Sequence, residues 1–233
     1  MSLVDLKRHF GYIPRPLYQA PIHVIGAGGV GSAVVAQLAR MQVGQSVTIY
    51  DGDHVEAHNP TSQQFTRSHI GQNKAECLVN QATEWSDEQI EYRAVPRMVE
   101  DTAPLQGHVF LCLDNMATRL NIMKHSVFSQ PDVDLVVETR MDATVSQVFA
   151  FNPNTQAHQV IWRQFWFSDE DAENQLGCNG PIAIPTATTI TGSLAVQQLL
   201  NYYKQPGRFN HHVTLNLNTM HARTRSWPDT LDE

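Results

Sequence analysis

The chain has 233 residues, 42% of them hydrophobic, and carries 16 Lys and Arg against 23 Asp and Glu, a formal net charge of −7. That balance argues against a partner recognised mainly through its phosphate backbone, such as DNA, and fits one sizeable globular core. Cys77, Cys112 and Cys178 are widely spaced with no C-x-x-C pair, which excludes a zinc ribbon or a disulfide framework as the organising device. No apolar run approaches the ~18 residues that span a bilayer, and the N-terminus lacks the apolar stretch of a signal peptide. A cytoplasmic protein without membrane or nucleic-acid partners is therefore expected.

Residues 1–20 form a lead-in broken by Pro14 and Pro16, with Arg8 and Arg15 as its arginines. Ile22, Val24 and Ile25 then predict a short buried strand, followed by Gly26-Ala27-Gly28-Gly29-Val30-Gly31. Val30, Val34, Leu38 and Met41 recur at the spacing of one buried helix face, and Val47, Ile49 and Tyr50 predict a second strand that ends on Asp51. Strand, G-x-G-x-x-G turn, helix and strand closing on an acidic residue form a nucleotide-binding βαβ signature. Glycines allow backbone to approach phosphates, the helix start presents free N–H groups, and the acidic residue sits where a ribose-hydroxyl acceptor is needed.

After a polar, turn-rich stretch, Gly71-Gln72-Asn73-Lys74 leads into a helix through Ala75, Leu78, Val79 and Ala82. A lysine at a helix start gains nothing from the helix dipole unless an anion shares the site. A solvated lysine is the alternative. A third strand is expected at Glu91–Val95 and a fourth, nearly all apolar, at His108–Leu113. Asp114-Asn115 follow and precede a helix with Met116, Leu120, Met123 and Val127 on one face. Asp51 and Asp114 would then both face the crevice beyond the strand ends, or Asp114 or Asn115 would simply cap the helix.

Asp134–Thr139 predicts a fifth strand. Val145, Gln147, Phe149 and Phe151 alternate with Ser146, Val148 and Ala150, predicting an antiparallel sixth. A long connection from Asn152 to Thr191 holds the aromatics Trp162, Phe165, Trp166 and Phe167, expected to pack in the core or between subunits. It also holds an acidic run and Leu176-Gly177-Cys178-Asn179-Gly180-Pro181. Gly192-Ser193 is expected to open the last helix, Val213, Leu215 and Leu217 to form the final strand, and Thr224 onward to fray. The fold class is α/β, a Rossmann-like doubly wound, mostly parallel sheet with antiparallel strands at the C-terminal end. It occupies one domain over residues 21–223, between the lead-in and a polar tail at 224–233.

In order, Gly26-Ala27-Gly28-Gly29-Val30-Gly31-Ser32, Asp51-Gly52-Asp53, Asn59, Gly71-Gln72-Asn73-Lys74-Ala75, Cys112-Leu113-Asp114-Asn115 with Arg119, Gly180-Pro181 and Gly192-Ser193-Leu194 resemble the motifs of the ThiF/MoeB/HesA family. These are adenylyltransferases related to ubiquitin-activating enzymes. The resemblance implies a homodimer that binds ATP and Mg2+ and adenylates the C-terminal carboxylate of a ubiquitin-like or sulfur-carrier protein ending in Gly-Gly. Gly26, Gly28, Gly29 and Gly31 would cradle the nucleotide, with Asp51, Asp53 and Asn115 beside it and Asp51 on the ribose. Asn59 and Lys74 would contact phosphates, and Asp114 would sit by the metal and the α-phosphate. Three departures stand out. The family's N-x-x-R becomes Asn59-Pro60-Thr61-Ser62, with no arginine before Arg67, which would have to act in its place. The zinc cysteines are absent, and the segment that lends an arginine across the dimer is reduced to one holding Arg8 and Arg15. Cys178 is similar to the crossover cysteine some members use for thioester or persulfide chemistry, against the alternative of a small packed thiol. A catalytically weak nucleotide-binding scaffold and an NAD-dependent oxidoreductase remain as competing readings.

Overall fold

The computed structural model describes residues 5–9, 11–87, 89–97, 104–171, 182–206 and 208–230. Eight strands form one sheet in the order β3-β2-β1-β4-β5-β6-β7-β8. They are β1 Pro21–Ile25, β2 Ser46–Tyr50, β3 Glu91–Val95, β4 Gly107–Leu111, β5 Val133–Met141, β6 Val145–Phe151, β7 His212–Asn216 and β8 His221–Arg225. The first five are parallel to one another, and β6, β7 and β8 each run antiparallel to the strand before. The doubly wound sheet with an antiparallel C-terminal extension is as expected.

Helices α1 (Gly29–Met41), α2 (Lys74–Trp85) and α5 (Pro185–Lys204) share one face of the sheet. Val34, Leu38, Leu78 and Leu199 meet Val24, Val47 and Val137 there. On the other face α3 (Met116–Ile122), a π turn continuing it (Met123–Val127) and α4 (Gln156–Gln164) bury Ile122, Met123 and Trp162 on Val109, Val136, Phe149 and Phe151. Strands β1 and β4 lie between these layers, which is why they read as continuous apolar runs. Among the described residues no helix is long and apolar enough to cross a membrane.

Four expectations need correction. The stretch from Asn152 to Thr191 is not one long connection, since it contains α4, and its Trp162 is fully buried in the core, one of the two expected places for these aromatics. Trp162 is thus unavailable to a subunit interface, and of that aromatic run only Trp166 is exposed, at 37%. The last helix begins at Pro185, not at Gly192, which lies mid-helix where α5 crosses α1. Pro185 suits the first turn, and the β-branched run Thr186, Thr188, Thr189, Ile190 and Thr191 masks the helical signal. β7 is not the final strand, because His221–Arg225 pairs with it as β8. Lastly, Thr224 and Arg225 are paired in that strand and Trp227 is buried, so the chain there is not frayed.

Candidate functional site

The order of the sheet reverses between β1 and β4, and the strand ends open a crevice there, as in other doubly wound sheets. The glycine loop lies in it. Gly26 has φ +91° and donates its N–H to Tyr50 O at 2.9 Å, while Cys112 N donates to Ile25 O at 2.8 Å. A Cβ on Gly26 would meet Cys112 O at 2.7 Å, and one on Gly31 would meet Gly26 O at 1.8 Å. These two positions admit only glycine because the loop folds back against the start of α1. By contrast, a Cβ on Gly28 would have nothing among the described residues within 4 Å. The loop therefore closes tightly inward and stays open outward, at the end of α1 where helix geometry leaves the first N–H groups without intrahelical partners.

Asp51 follows β2 directly. Its Oδ2 accepts the Ala27 N–H of the loop at 2.7 Å and its Oδ1 accepts Asp53 N–H at 2.8 Å. Burial raises its pKa, opposed by those two N–H groups and by Lys74. Asn73 ties the next elements together. Its Nδ2 donates to Asp51 O and Asp53 O, both at 3.0 Å, and its Oδ1 caps α2 by accepting Glu76 N–H at 3.1 Å. Lys74, the first residue of α2, is held by this cap. Its side chain is only 11% exposed, and Nζ reaches Asp53 Oδ2 at 3.1 Å. A cation thus sits nearly buried at the positive end of a helix, with one carboxylate as its partner, an arrangement that a phosphate would relieve.

Asp114 follows β4 by way of Cys112 and Leu113, which lie against Gly26. Its carboxylate is exposed and makes no side-chain hydrogen bond or ion pair among the described residues. The helix cap is Asn115, whose Oδ1 accepts Thr118 N–H at 2.7 Å, so Asp114 is left for another role. Asn59 is buried, and its side chain is engaged in its own turn, Oδ1 accepting Glu56 N–H at 2.8 Å and Nδ2 meeting His58 Nε2 at 3.0 Å. Arg67 lies on an exposed 3-10 turn with no side-chain bond to the glycine loop. The segment before it does reach the loop, Gln64 N–H donating to Ser32 Oγ at 3.0 Å, but it brings no arginine. Cys178, Gly180 and Pro181 lie outside the described residues. Cys112 is a half-buried residue whose thiol pKa desolvation pushes up to about 11.

Sequence reasoning missed several supports. Thr188 of α5 donates to Ser62 O at 2.9 Å and packs over Gly29, closing the far side of the loop. Asp169 accepts the N–H groups of Met116 and Ala117 at 2.6 and 3.0 Å. Beneath Asp114, buried Arg119 donates to Glu138 Oε1 at 3.0 Å and to Thr139 O at 2.9 Å, and also bonds Leu113 O. Glu138 takes Arg140 Nε at 2.7 Å and Trp162 Nε1 as well. Burial disfavours the charge on Glu138, but the two guanidiniums outweigh it and hold its pKa below the usual carboxylate range. None of these partners shares a local motif, and only Arg119 carried a signal, its spacing from Asp114-Asn115.

A glycine loop at the switch point, a half-buried acid after β2 and a helix-start lysine frame a protein of the Rossmann-like α/β class. Residues 15–231 match the ThiF family, and the chain belongs to it. It is 28% identical over 199 residues to the molybdopterin-synthase adenylyltransferase of Salmonella typhimurium, covering 82% of this chain and 76% of that one. Its fold resembles the selenomethionine form of PaaA, with a TM-score of 0.69, 18% identity and coverage of 96% and 78% of the two chains. It also resembles Escherichia coli MccB crystallised with AMPCPP and MccA, with a TM-score of 0.72, 15% identity and coverage of 94% and 70%.

Proposed function

We propose that the protein is an ATP-dependent adenylyltransferase that activates a carboxylate, specifically the C-terminal carboxylate of a ubiquitin-like or sulfur-carrier protein ending in Gly-Gly, and that it works as a cytoplasmic homodimer. The observation that carries this reading is Asp114. In a crevice where Asp51 and Asp53 are both engaged, it alone of the three is exposed without a partner, one residue past the chain that packs on the glycine loop. An unpaired acid beside a polyphosphate site suits a divalent cation. Mg2+ is commonly held by one or two carboxylates plus substrate phosphates, a role that one such acid can fill. When bound there, Mg2+ would offset charge on the phosphates.

The chain's own groups supply the rest. Asp51 accepts from a ribose hydroxyl while fixed by Ala27 and Asp53. The start of α1 and Lys74 draw the phosphates in. An acceptor carboxylate oxygen attacks the α-phosphorus, the bond from that phosphorus to the bridging oxygen breaks, and pyrophosphate leaves with its electron pair. Two anions approach in this step, so positive charge fixed beforehand lowers the barrier. The relative's name, molybdopterin-synthase adenylyltransferase, supports this chemistry.

The test is exchange of labelled pyrophosphate into ATP with candidate Gly-Gly-terminated carriers. Asp114→Ala is expected to abolish exchange while largely sparing ATP affinity, because its contribution grows in the transition state. Lys74→Ala is expected to weaken both. Wild-type exchange in Asp114→Ala would remove its catalytic assignment. The scaffold reading rests on one observation, that no arginine reaches the loop where Ser62 stands, and ATP binding without exchange for any carrier would favour it.

A further inference from the structure

The sheet face formed by β6, β7 and β8 carries a groove that the nucleotide site does not use. Two adjoining cavities of about 530 and 260 Å³ share Thr214 and Arg223. The first extends to His221 and the second to Gln147 and Arg225. The opposite face of β6 is covered by α5, Ser146 Oγ meeting Thr191 Oγ1 at 2.6 Å. The pairing register sets Arg140, Gln147, Thr214 and Arg223 in one row across four strands, with Arg225 in the next row on the same face.

Charge is what distinguishes this face. The chain as a whole is at −7, yet among the described residues no carboxylate lines either cavity. Arg223 and Arg225 are exposed and have no ion pair among the described residues. At the inner end of the row Arg140 is 9% exposed, and its Nη2 is buried with no hydrogen-bond partner among the described residues. The nearby acids are committed elsewhere. Glu138 stands on this same face in the row of Arg225, but it is fully buried and paired to Arg119 and Arg140, and Asp142 accepts from Thr144 and Val145 N–H within its own turn. Arg223 and Arg225 are two residues apart on a strand, so their side chains leave the same face about 6.8 Å apart. Carboxylates at alternate positions of an extended segment repeat at that same spacing.

We propose that this groove docks an acidic, extended segment of the acceptor polypeptide, with carboxylates at alternate positions, and so selects the partner whose C-terminus enters the nucleotide crevice. The proposal rests on the adenylyltransferase reading for the identity of the acceptor. The row's inner end, at Arg140, stands two residues from Glu138, the partner of the Arg119 that bonds the residue before Asp114. The groove runs from β8 to Gln147, the register partner of Arg140, a direction that suits a segment running on toward the active site. Single-stranded nucleic acid suits it less, because Phe165 is the one aromatic ring lining the cavities apart from histidines, and stacking proteins need a series of them.

The experiment measures fluorescence anisotropy of short labelled peptides ending in Gly-Gly, with glutamate, glutamine or lysine alternating with serine. The wild type should bind the glutamate peptide at least about tenfold more tightly than the other two, and more weakly as salt rises. Arg223→Glu with Arg225→Glu should lose that binding by about tenfold or more and come to prefer the lysine peptide, with ATP affinity by calorimetry unchanged. Equal binding of all three peptides, or full retention by the double variant, would overturn the proposal. So would tighter binding of oligothymidylate than of the glutamate peptide. Dissociation of a wild-type dimer by the double substitution in sedimentation would show the face to be an interface between copies and overturn it equally. Absence of ATP binding by the wild type would instead remove the adenylyltransferase reading, and the peptide result would stand or fall by itself.

Discussion

The two ends of the sheet are built by different rules. From β3 to β5 the strands are parallel, with helices on both faces over the β1–β4 centre, and their polar groups gather at the strand ends. From β6 to β8 they are antiparallel, and on β7 and β8 polar side chains line one broad face. Burial on both sides forces chemistry out to the loops, which places the nucleotide site at the crevice. A half-covered sheet can instead present side chains along the strands, which suits recognition of another chain. Glu138 stands at the seam, on the strand that pairs in parallel with β4 and antiparallel with β6.

The largest effect expected from breaking this arrangement is in the parallel half. Gly31→Ala places a Cβ 1.8 Å from Gly26 O, so the loop cannot close, and urea denaturation should show a loss of at least about 4 kcal/mol or no folded protein. Gly28→Ala is its control. With no atom of the described residues within 4 Å, stability should hold within about 0.5 kcal/mol while ATP affinity falls, because the methyl faces the outward side of the loop. Next comes the seam. Glu138→Ala leaves Arg119 and Arg140 buried without their shared carboxylate and should cost about 3–5 kcal/mol in the same assay.

Acid should loosen both halves. Burial lowers His23 on β1 and His108 on β4 to about 4, and likewise His211 and His212 of the antiparallel half. The folded state then holds fewer protons than the unfolded chain between pH 6.5 and 4. Stability is fully present above 6.5, falls as pH drops through that window, and levels off below it. His23 and His108 together should cost about 2–4 kcal/mol between pH 7 and 5, read as a falling melting temperature. Trp227 N–H donates to His211 Nδ1 at 2.9 Å, so protonation there also releases the segment after β8. Trp fluorescence should change over the same range. The smallest change is Asp51→Ala, expected to weaken ATP binding by about 1–3 kcal/mol, mostly through the ribose contact. Unchanged affinity in a folded Asp51→Ala protein would remove that role.

The parallel half was legible in the chain because its signals are local. A glycine turn between two apolar strands, an acid closing the second and Asn73-Lys74 opening a helix are each written in a few consecutive residues. Asp114 and Asn115 could be placed beyond β4, but which of them capped the helix could not be read, since both side chains can accept the same N–H. In the antiparallel half the signals fade. β8, with His221, Arg223 and Arg225, has no apolar alternation of its own and becomes a strand only through its partner β7. α4 hid within an aromatic cluster, and α5 behind a β-branched start.

By itself the sequence determined the sheet class, the glycine loop, Asp51, Lys74 and the position of Asp114, because period and turn chemistry act between near neighbours. The tertiary structure alone decided that Asn59 is spent on its own turn, that Arg67 stays away from the loop, and that Glu138 gathers two arginines and a tryptophan. It also decided that the exposed Arg223 and Arg225 share one face of the sheet with the buried Arg140. Those facts depend on which distant segments meet, and a residue's chemistry does not reveal its partner until register and packing bring the two together.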